Sequence, residues 1–193
     1  LSDIMPLLEN LGSRVLVEHP YQIRPVGESD VWMHDFSLEH DLGNGVPLNL
    51  DTVRDSYQEA LRAIWRGQAE NDVFNRLVFG ARLDWRTVSL IRAYARYLKQ
   101  LGSPFSLDFV ATVLAGHVSI CRDLVALFRC LFDPRRREKH SSEDRIAKIR
   151  RRIIGALDKV ANLNEDQVLR QYMQVIEATL RTNFFQTDEN GEY

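Results

Sequence analysis

Residues 34–41 of the 193-residue chain read HDFSLEHD and contain two histidines and two aspartates, side-chain types that bind transition metals. His34 and Asp35 are neighbours on a predicted strand, so their side chains point to opposite faces and cannot both reach one ion from that strand. The spacing to His40 and Asp41 matches none of the established ligand patterns. The stretch therefore favours an edge strand with outward polar residues, and we assign no metal ligand to it.

A second polar group lies between two predicted helices and comprises Glu70, Asn71, Asp72, Asn75 and Arg76. Such side chains could hold a ligand. Asn and carboxylate side chains are also favoured at helix starts, because they cap free N–H groups and complement the positive end of the helix dipole. We therefore interpret this group as helix capping combined with an ion pair, and we assign no catalytic residue here.

Basic residues that could contact phosphates form two runs, Arg135, Arg136, Arg137 and Lys139, then Lys148, Arg150, Arg151 and Arg152. Neither run contains an aromatic residue for base stacking, and acidic Glu138, Glu143 and Asp144 are interleaved. The formal net charge of -2 also provides no global field that would attract nucleic acid or an anionic membrane. The pattern favours a solvated loop and helix face, and we predict neither a nucleic-acid nor a membrane partner.

Glycines do not form a phosphate-binding loop. Gly43 and Gly45 are the only pair at G-x-G spacing, and no third glycine follows at the dinucleotide-binding distance. The motifs G-x-S-x-G, H-E-x-x-H and C-x-x-C are also absent from the sequence. The sequence therefore predicts no catalytic, cofactor-binding or metal-binding residue in this chain.

The element around which the chain is organised is a predicted helix over residues 84–101. Its apolar residues form two adjacent rows, Val88, Ile91, Ala95 and Leu98 in the first, and Leu90, Tyr94, Tyr97 and Leu101 in the second. A stripe this wide must be covered by several neighbouring elements. Arg92, Arg96 and Lys99 are expected to keep a narrow polar strip for water or for acidic neighbours.

Capping residues delimit this helix and others. Asp84 can cap its first turn, and Gly102 can adopt the left-handed conformation that closes its last. Ser106 is predicted to cap a following helix, and Asn164 to open the last one, with Gln167 placed to complete a capping box.

The N-terminal part predicts a short helix capped by Ser2 and ending at Gly12, followed by two or three strands. Residues 14–19, 21–26 and 31–38 are rich in β-branched and aromatic residues, with Pro20 and Pro25 between them. Such a sheet is thin, so we expect either that a preceding strand is missing or that the helical part covers one face.

Beyond a glycine-rich loop at residues 40–50, nearly every segment predicts helix, so the fold class is mainly α: a helical bundle or a stack of helical hairpins after a small α+β piece. We divide the chain into the α+β piece at 1–42, a helical subdomain at 51–132, a mobile basic loop at 133–142 and an antiparallel helical hairpin at 143–185. Cys121 and Cys130 are predicted to be reduced core thiols of a cytoplasmic protein.

Five collinear stretches together resemble one family, the large bacterial NAD-specific glutamate dehydrogenases. They are LENLGSRVLVEHPYQIRP at 8–25, VWMHDF at 31–36, WRGQAENDVFNRLV at 65–78, LIRAYARYLKQLG at 90–102 and LRTNFFQ at 180–186. Two positions depart from the family pattern: Val73 stands where the family usually has Gly, and Phe184 where it usually has Tyr.

The resemblance implies that residues 1–42 are the latter part of an ACT-like module and that the remainder is a helical region leading towards the catalytic domain. It implies a parent enzyme that oxidatively deaminates L-glutamate to 2-oxoglutarate and ammonia with NAD as hydride acceptor. The cofactor loop and substrate-binding lysines of the family are expected to lie beyond this chain. The start at Leu1 without a Met agrees with the expectation that the chain is a segment of a longer protein.

The first functional hypothesis is therefore a non-catalytic assembly or regulatory segment, whose partners are the rest of its own polypeptide and further copies in a homo-oligomer. The alternative is an independent helical module for protein–protein interaction. In that alternative, Phe184 and Phe185, expected to be exposed at the end of the last helix, would be the contact residues, although they could instead pack on the catalytic domain.

Overall fold

The computed structural model describes residues 2–27, 29–40, 50–136 and 142–187. The elements in chain order are α1 (Ile4–Asn10), β1 (Ser13–Ile23), β2 (Val31–His40), α2 (Leu50–Trp65), α3 (Arg76–Gly80), α4 (Trp85–Gln100), α5 (Leu107–Gly116), α6 (Val118–Phe132), α7 (Ser142–Leu157) and α8 (Leu163–Ala178). A 3₁₀ turn at Val73–Asn75 precedes α3, and another at Pro134–Arg136 follows α6. The fold is mainly α with a small α+β piece at its N-terminus, which confirms the predicted class. Residues 41–49 of the predicted glycine-rich loop, with Gly43 and Gly45, and residues 137–141 of the predicted basic loop lie outside the described residues.

Two antiparallel strands form the sheet at the N-terminus. One continuous strand, β1, occupies the region where two strands were predicted around Pro20. Pro20 is tolerated there because each strand of a two-stranded ribbon has a free edge, so a missing N–H need not break a ladder. A register shift between Val15 and Val17 marks a bulge, and beyond it His19 lies opposite Asp35 and Tyr21 opposite Met33.

The ribbon joins the helices through a buried corner. Gly12 adopts a φ of +85°, which ends α1 and turns the chain into β1. Ser13 follows directly, and its hydroxyl lies 3.2 Å from the hydroxyl oxygen of Tyr57 on α2. Burial raises the pKa of Tyr57, while the contact with Ser13 acts in the opposite direction.

One hydrophobic core runs through the helices, from Leu11 at the end of α1 to Ile176 in α8. The first apolar row of α4 is buried throughout, as predicted. The second row is only partly covered: Tyr94 is buried, but Tyr97 is 49% and Leu101 62% exposed. Near its C-terminal end, α4 therefore packs through a narrower stripe than the sequence indicated.

The predicted caps are confirmed at α4 and α5 but are wrong at α1 and α8. The residue before α1 is Asp3 rather than Ser2, and its side chain makes no capping hydrogen bond. The backbone N–H of Thr87 donates to Asp84 Oδ1 (2.8 Å), and Gly102 has a φ of +89°. Ser106 likewise accepts from the N–H of Phe109 (3.1 Å). The cap predicted at Asn164 is wrong: α8 begins at Leu163, and the side chain of Asn162 accepts from its first N–H groups.

The last two helices run in opposite directions, since Arg150 pairs with Glu177 and Asp158 with Arg170. Both helices share the core with α4 to α6, so the division of the chain at 133–142 into subdomains stays a prediction.

Cys121 and Cys130 are buried and unbonded, as predicted. Among the described residues no single helix is long and apolar enough to cross a membrane; α5 and α6 pass that test only as a pair bent by 100°.

Candidate functional site

The histidine-containing strand β2 forms ordinary ribbon contacts. His34 Nδ1 lies 2.6 Å from Glu18 Oε1 on the neighbouring strand, so a carboxylate on the same face engages the imidazole. Asp35 points to the opposite face, next to His19. Within the part of the chain that the structure describes, no three His, Cys, Asp or Glu side chains are grouped to hold a metal ion.

The polar group around Asp72 is a closed structural network. Asp72 caps the 3₁₀ turn by accepting from the N–H of Phe74 (3.1 Å), and Arg92 donates to both of its carboxylate oxygens (2.6 and 2.8 Å). Asn75 accepts from Arg92 (2.8 Å) and donates to the carbonyl oxygen of Glu70 (2.9 Å). This confirms the interpretation as capping with an ion pair. The cation of the ion pair is Arg92, which lies outside the predicted group.

Arg92 is the residue that the sequence analysis placed least accurately. It is 3% exposed, although helical spacing assigned it to the polar strip of α4. Its neighbour on that strip, Arg96, pairs with Glu70 and stays half-exposed. A buried guanidinium needs a carboxylate and several acceptors, and the loop at 70–75 supplies them. The strip was thus correctly expected to meet acidic neighbours, but not to be enclosed by them.

Three arginines of the basic runs pair with acidic side chains. Arg135 pairs with Asp133 (3.0 Å), Arg150 with Glu177 (2.5 Å), and Arg152 with Asp123. Arg137 and Lys139 lie outside the described residues. For these three arginines, the ion pairs favour a solvated, charge-balanced surface over a phosphate-binding patch, while Arg151 donates to the backbone carbonyl oxygen of Ala147.

An aromatic cluster joins the segment after α8 to the helices before it. Phe184 and Phe185 pack on Phe128 of α6, with ring centroids 5.6 and 5.8 Å from its own, and Phe132 lies 5.1 Å from Phe128 on the other side. Tyr94 of α4 completes the cluster at 6.0 Å from Phe128. The expectation that Phe184 and Phe185 are exposed at a helix end is therefore wrong: both are half-buried, because the chain folds back after α8.

Polar contacts fix the same segment to α4. Arg86 donates from Nη2 to the carbonyl oxygen of Phe184 (3.1 Å), and its guanidinium carbon lies 5.1 Å above the Phe184 ring, within cation–π range. The hydroxyls of Tyr94 and Thr179 lie 2.9 Å apart. Burial raises the pKa of Tyr94, and the contact with Thr179 acts in the opposite direction.

A groove of about 960 Å³ separates the exposed side of α4 from residues 178–186. Trp85 and Tyr97 stand at the two ends of its α4 wall, and Ser89 lies between them. No Asp, Glu, His, Cys or Lys is among the described residues that line it. The groove therefore offers hydroxyl groups, such as those of Ser89 and Tyr97, without a carboxylate, imidazole, thiol or amine among its described lining residues.

Three family models match successive parts of this chain. Residues 1–53 match the glutamate dehydrogenase ACT3 domain, residues 69–134 match glutamate dehydrogenase helical motif 3, and residues 152–193 match the catalytic domain of bacterial NAD-glutamate dehydrogenase. The last match begins at residue 152, so α8, which was predicted to lie in the helical region leading towards the catalytic domain, falls within the catalytic-domain match. The aromatic cluster therefore joins residues of helical motif 3 to residues of the catalytic-domain match.

Whole-chain comparisons agree with these models. The chain is 49% identical to the NAD-specific glutamate dehydrogenase of Halomonas elongata and 47% identical to that of Pseudomonas aeruginosa, over 100% of its length in both cases. It is 36% identical to the NAD-specific glutamate dehydrogenase of Mycobacterium tuberculosis over 99% of its length. It spans 12% of the length of each relative. The chain therefore belongs to the NAD-specific glutamate dehydrogenase family, as a segment that runs from the ACT3 region through helical motif 3 into the beginning of the catalytic domain.

Proposed function

We propose that this chain is a non-catalytic part of an NAD-dependent glutamate dehydrogenase and that it serves the assembly or regulation of that enzyme. The parent would oxidatively deaminate L-glutamate to 2-oxoglutarate and ammonia and pass hydride to NAD. The names of the three relatives and the catalytic-domain match support this activity for the parent. The buried, unbonded cysteines agree with a cytoplasmic enzyme.

The observation that carries the proposed role is the shared core between helical motif 3 and the catalytic-domain match. Tyr172 of α8 is fully buried and donates to the carbonyl oxygen of Ile91 in α4 (3.0 Å). Phe184 and Phe185 extend the same contact to Phe128 of α6. Because close-packed interiors transmit displacements, the position of α4 and α6 sets the position from which the catalytic domain continues. Helical motif 3 thus holds that domain in position.

The described residues do not fit NAD itself. The dinucleotide site of this enzyme class needs a parallel strand–helix–strand unit with a glycine-rich turn at the helix start. The two described strands are antiparallel, and no described helix follows a strand through such a glycine pattern. We therefore assign the binding and reduction of NAD to parts of the parent outside the described residues.

The alternative, an independent interaction module, has weaker support. Its proposed contact residues, Phe184 and Phe185, are engaged with Phe128 and Arg86 within the chain. The partners we propose are instead the rest of the same polypeptide and further copies of the enzyme in a homo-oligomer. We propose no nucleic-acid or membrane partner, in keeping with the ion-paired arginines.

The proposal is tested by weakening the contacts between helical motif 3 and the catalytic-domain match in the full-length enzyme. Phe128→Ala removes the ring on which Phe184 and Phe185 pack, and Arg86→Met removes the donor to the Phe184 carbonyl oxygen. Because misplacement of a catalytic unit by about 1 Å can cost about 100-fold in rate, we expect both variants to reduce glutamate-dependent NAD reduction, Phe128→Ala more strongly.

Phe109→Ala is the matched control, since Phe109 packs on Phe105 and lies outside the aromatic cluster. Light scattering on each variant separates loss of assembly from loss of rate. Unchanged kinetics and an unchanged oligomer mass in both Phe128→Ala and Arg86→Met would contradict the proposed positioning of the catalytic domain by helical motif 3. The 193-residue chain alone should show no glutamate-dependent NAD reduction, and activity in it would contradict the non-catalytic assignment.

A further inference from the structure

The β1–β2 ribbon has one face that packs against helices and one that does not. One face carries His34 and Phe36, which together with Ile4, Leu61 and Trp65 line a cavity of about 480 Å³ against α1 and α2. The register places the other set of side chains on the opposite side: Val17, His19, Tyr21 and Ile23 of β1, with Val31, Met33, Asp35 and Ser37 of β2. We call this second set the outer face.

The outer face is apolar and exposed. Its five large hydrophobic side chains are between 44% and 51% exposed: Val17, Tyr21, Ile23, Val31 and Met33. The helices that pack on the ribbon lie on its other side. A sheet face that meets only water normally carries polar side chains, so a contiguous apolar row indicates a partner.

We propose that the outer face docks on the outer face of a second copy of the enzyme, around a two-fold axis that runs along the strands. Rotation about this axis places β1 of one copy over β2 of the other at the same level, about 10 Å apart. Because Tyr21 lies opposite Met33 and Ile23 opposite Val31, the rotation superposes apolar side chains on apolar ones. The same rotation places His19 over the partner subunit's Asp35, and it does so twice.

Charge complementarity is the reason for assigning a second copy rather than another partner. His19 and Asp35 are cross-strand neighbours near the middle of the outer face, and none of the described residues hydrogen-bonds or ion-pairs with either side chain. A face with one basic and one acidic group related in this way is complementary to itself. The inference rests on the proposed homo-oligomer and names the surface that forms it.

Cross-linking in the full-length enzyme tests this arrangement. A Tyr21→Cys variant is treated with a bismaleimide that spans about 10 Å, the expected separation of two packed sheets. We expect a covalent dimer beyond the background of the unsubstituted enzyme. Gln22→Cys is the matched control, since Gln22 is exposed on the same strand but lies on the opposite face, so it should not exceed the background.

A charge-reversal pair separates docking from a local defect of the ribbon. In the Tyr21→Cys background, His19→Glu places two carboxylates over each other and Asp35→Lys places an ammonium group over the partner's histidine, so each variant alone should cross-link less than the Tyr21→Cys parent, His19→Glu about tenfold less. Co-expression of the two variants should restore the dimer, because an acidic face then meets a basic one. A defect within each ribbon would not be repaired by mixing.

Failure of the Tyr21→Cys variant to cross-link overturns the inference in either of two ways. If a monofunctional maleimide also fails to label the new thiol, another part of the same polypeptide covers the face. If it labels the thiol fully, the face is free. Light scattering measures the oligomeric state independently. An enzyme that is oligomeric but not cross-linked would contradict only the assignment of this surface. A monomeric enzyme would also contradict the proposed homo-oligomer.

Discussion

Tyr172 of α8 donates its hydroxyl hydrogen to the backbone carbonyl oxygen of Ile91 in α4 across 3.0 Å, and both residues are fully buried. Burial raises the pKa of Tyr172 well above its ordinary value, so the phenol stays protonated and remains a donor at any physiological pH. This bond ties the catalytic-domain match to helical motif 3 at the centre of the core. The bond also fixes the orientation of α8 relative to α4, because a hydrogen bond is directional and apolar contacts are not.

Removing this hydroxyl should cost stability without enlarging the core. We expect Tyr172→Phe to lower the free energy of unfolding by about 1 kcal/mol, the usual net value of one buried hydrogen bond. Urea titration of the 193-residue chain measures it. Tyr97→Phe is the control, because the Tyr97 hydroxyl has no hydrogen-bond partner among the described residues and should change stability by less than about 0.5 kcal/mol. Equal losses in the two variants would show that the Tyr172 bond contributes nothing specific.

The buried guanidinium of Arg92 should be far more costly to remove. Arg92→Met keeps most of the apolar stem but leaves Asp72 and Asn75 without their charged donor, and we expect a loss of about 3 kcal/mol. Arg96→Met removes the half-exposed partner of Glu70 and should cost less than about 1 kcal/mol. Thermal unfolding of both variants decides this. A smaller loss for Arg92→Met than for Arg96→Met would mean that the network is not what holds the loop at 70–75 on α4.

Asp84 does more than cap α4, and its replacement should reflect that. Its carboxylate accepts from the N–H and the hydroxyl of Thr87 and pairs with Arg129 of α6 (3.2 Å). We expect Asp84→Ala to cost about 2 kcal/mol, the upper end for a cap, because Arg129 also loses its carboxylate partner and keeps only its bond to the Thr87 hydroxyl among the described residues. Ser106→Ala removes a cap alone and should cost about 1 kcal/mol. Urea midpoints in the opposite order would contradict the added role of the Arg129 pair.

Features set by neighbouring residues were predictable from the sequence. Asp84, Ser106 and Gly102 mark helix ends because each satisfies backbone groups within a few residues of itself. The cap of α8 was misplaced by two residues because Asn162 and Asn164 are the same residue type, so local cap preference does not distinguish them.

Features set by distant residues were not predictable from spacing. Nothing in the helical pattern of α4 shows that Asp72, twenty positions earlier, reaches Arg92 and encloses it. In the same way, the return of the chain after α8 depends on Phe128, so a local pattern left Phe184 and Phe185 exposed. The junction of helical motif 3 and the catalytic-domain match is made of such long-range contacts, which is why the sequence indicated its components but not the site.

Proton binding in the core makes the fold sensitive to alkaline pH. Burial raises the pKa of the Cys121 thiol from 9.0 to about 12, and the charge of Arg122 lowers it only in part. Between these two values the unfolded chain releases a proton that the folded chain retains. The native state therefore binds more protons, and the free energy of unfolding must fall as the pH rises through this range. Below pH 9 both states are protonated and the full stability is present.

We expect the ionisation of Cys121 alone to lower the free energy of unfolding of the 193-residue chain by about 1.4 kcal/mol between pH 8 and pH 10. A difference of one bound proton between the folded and unfolded states corresponds to about 1.4 kcal/mol for each pH unit. Cys121→Ala should be less stable at pH 8, because it loses buried atoms, but should lack this part of the decline. Cys130→Ala, the matched control for a buried free cysteine, retains Cys121 and should keep the decline. Urea titrations under reducing conditions at both pH values measure the difference. Parallel declines in the two variants would show that the Cys121 thiol is not protected from ionisation by the core, and hence that the packing around α6 is looser than its burial indicates.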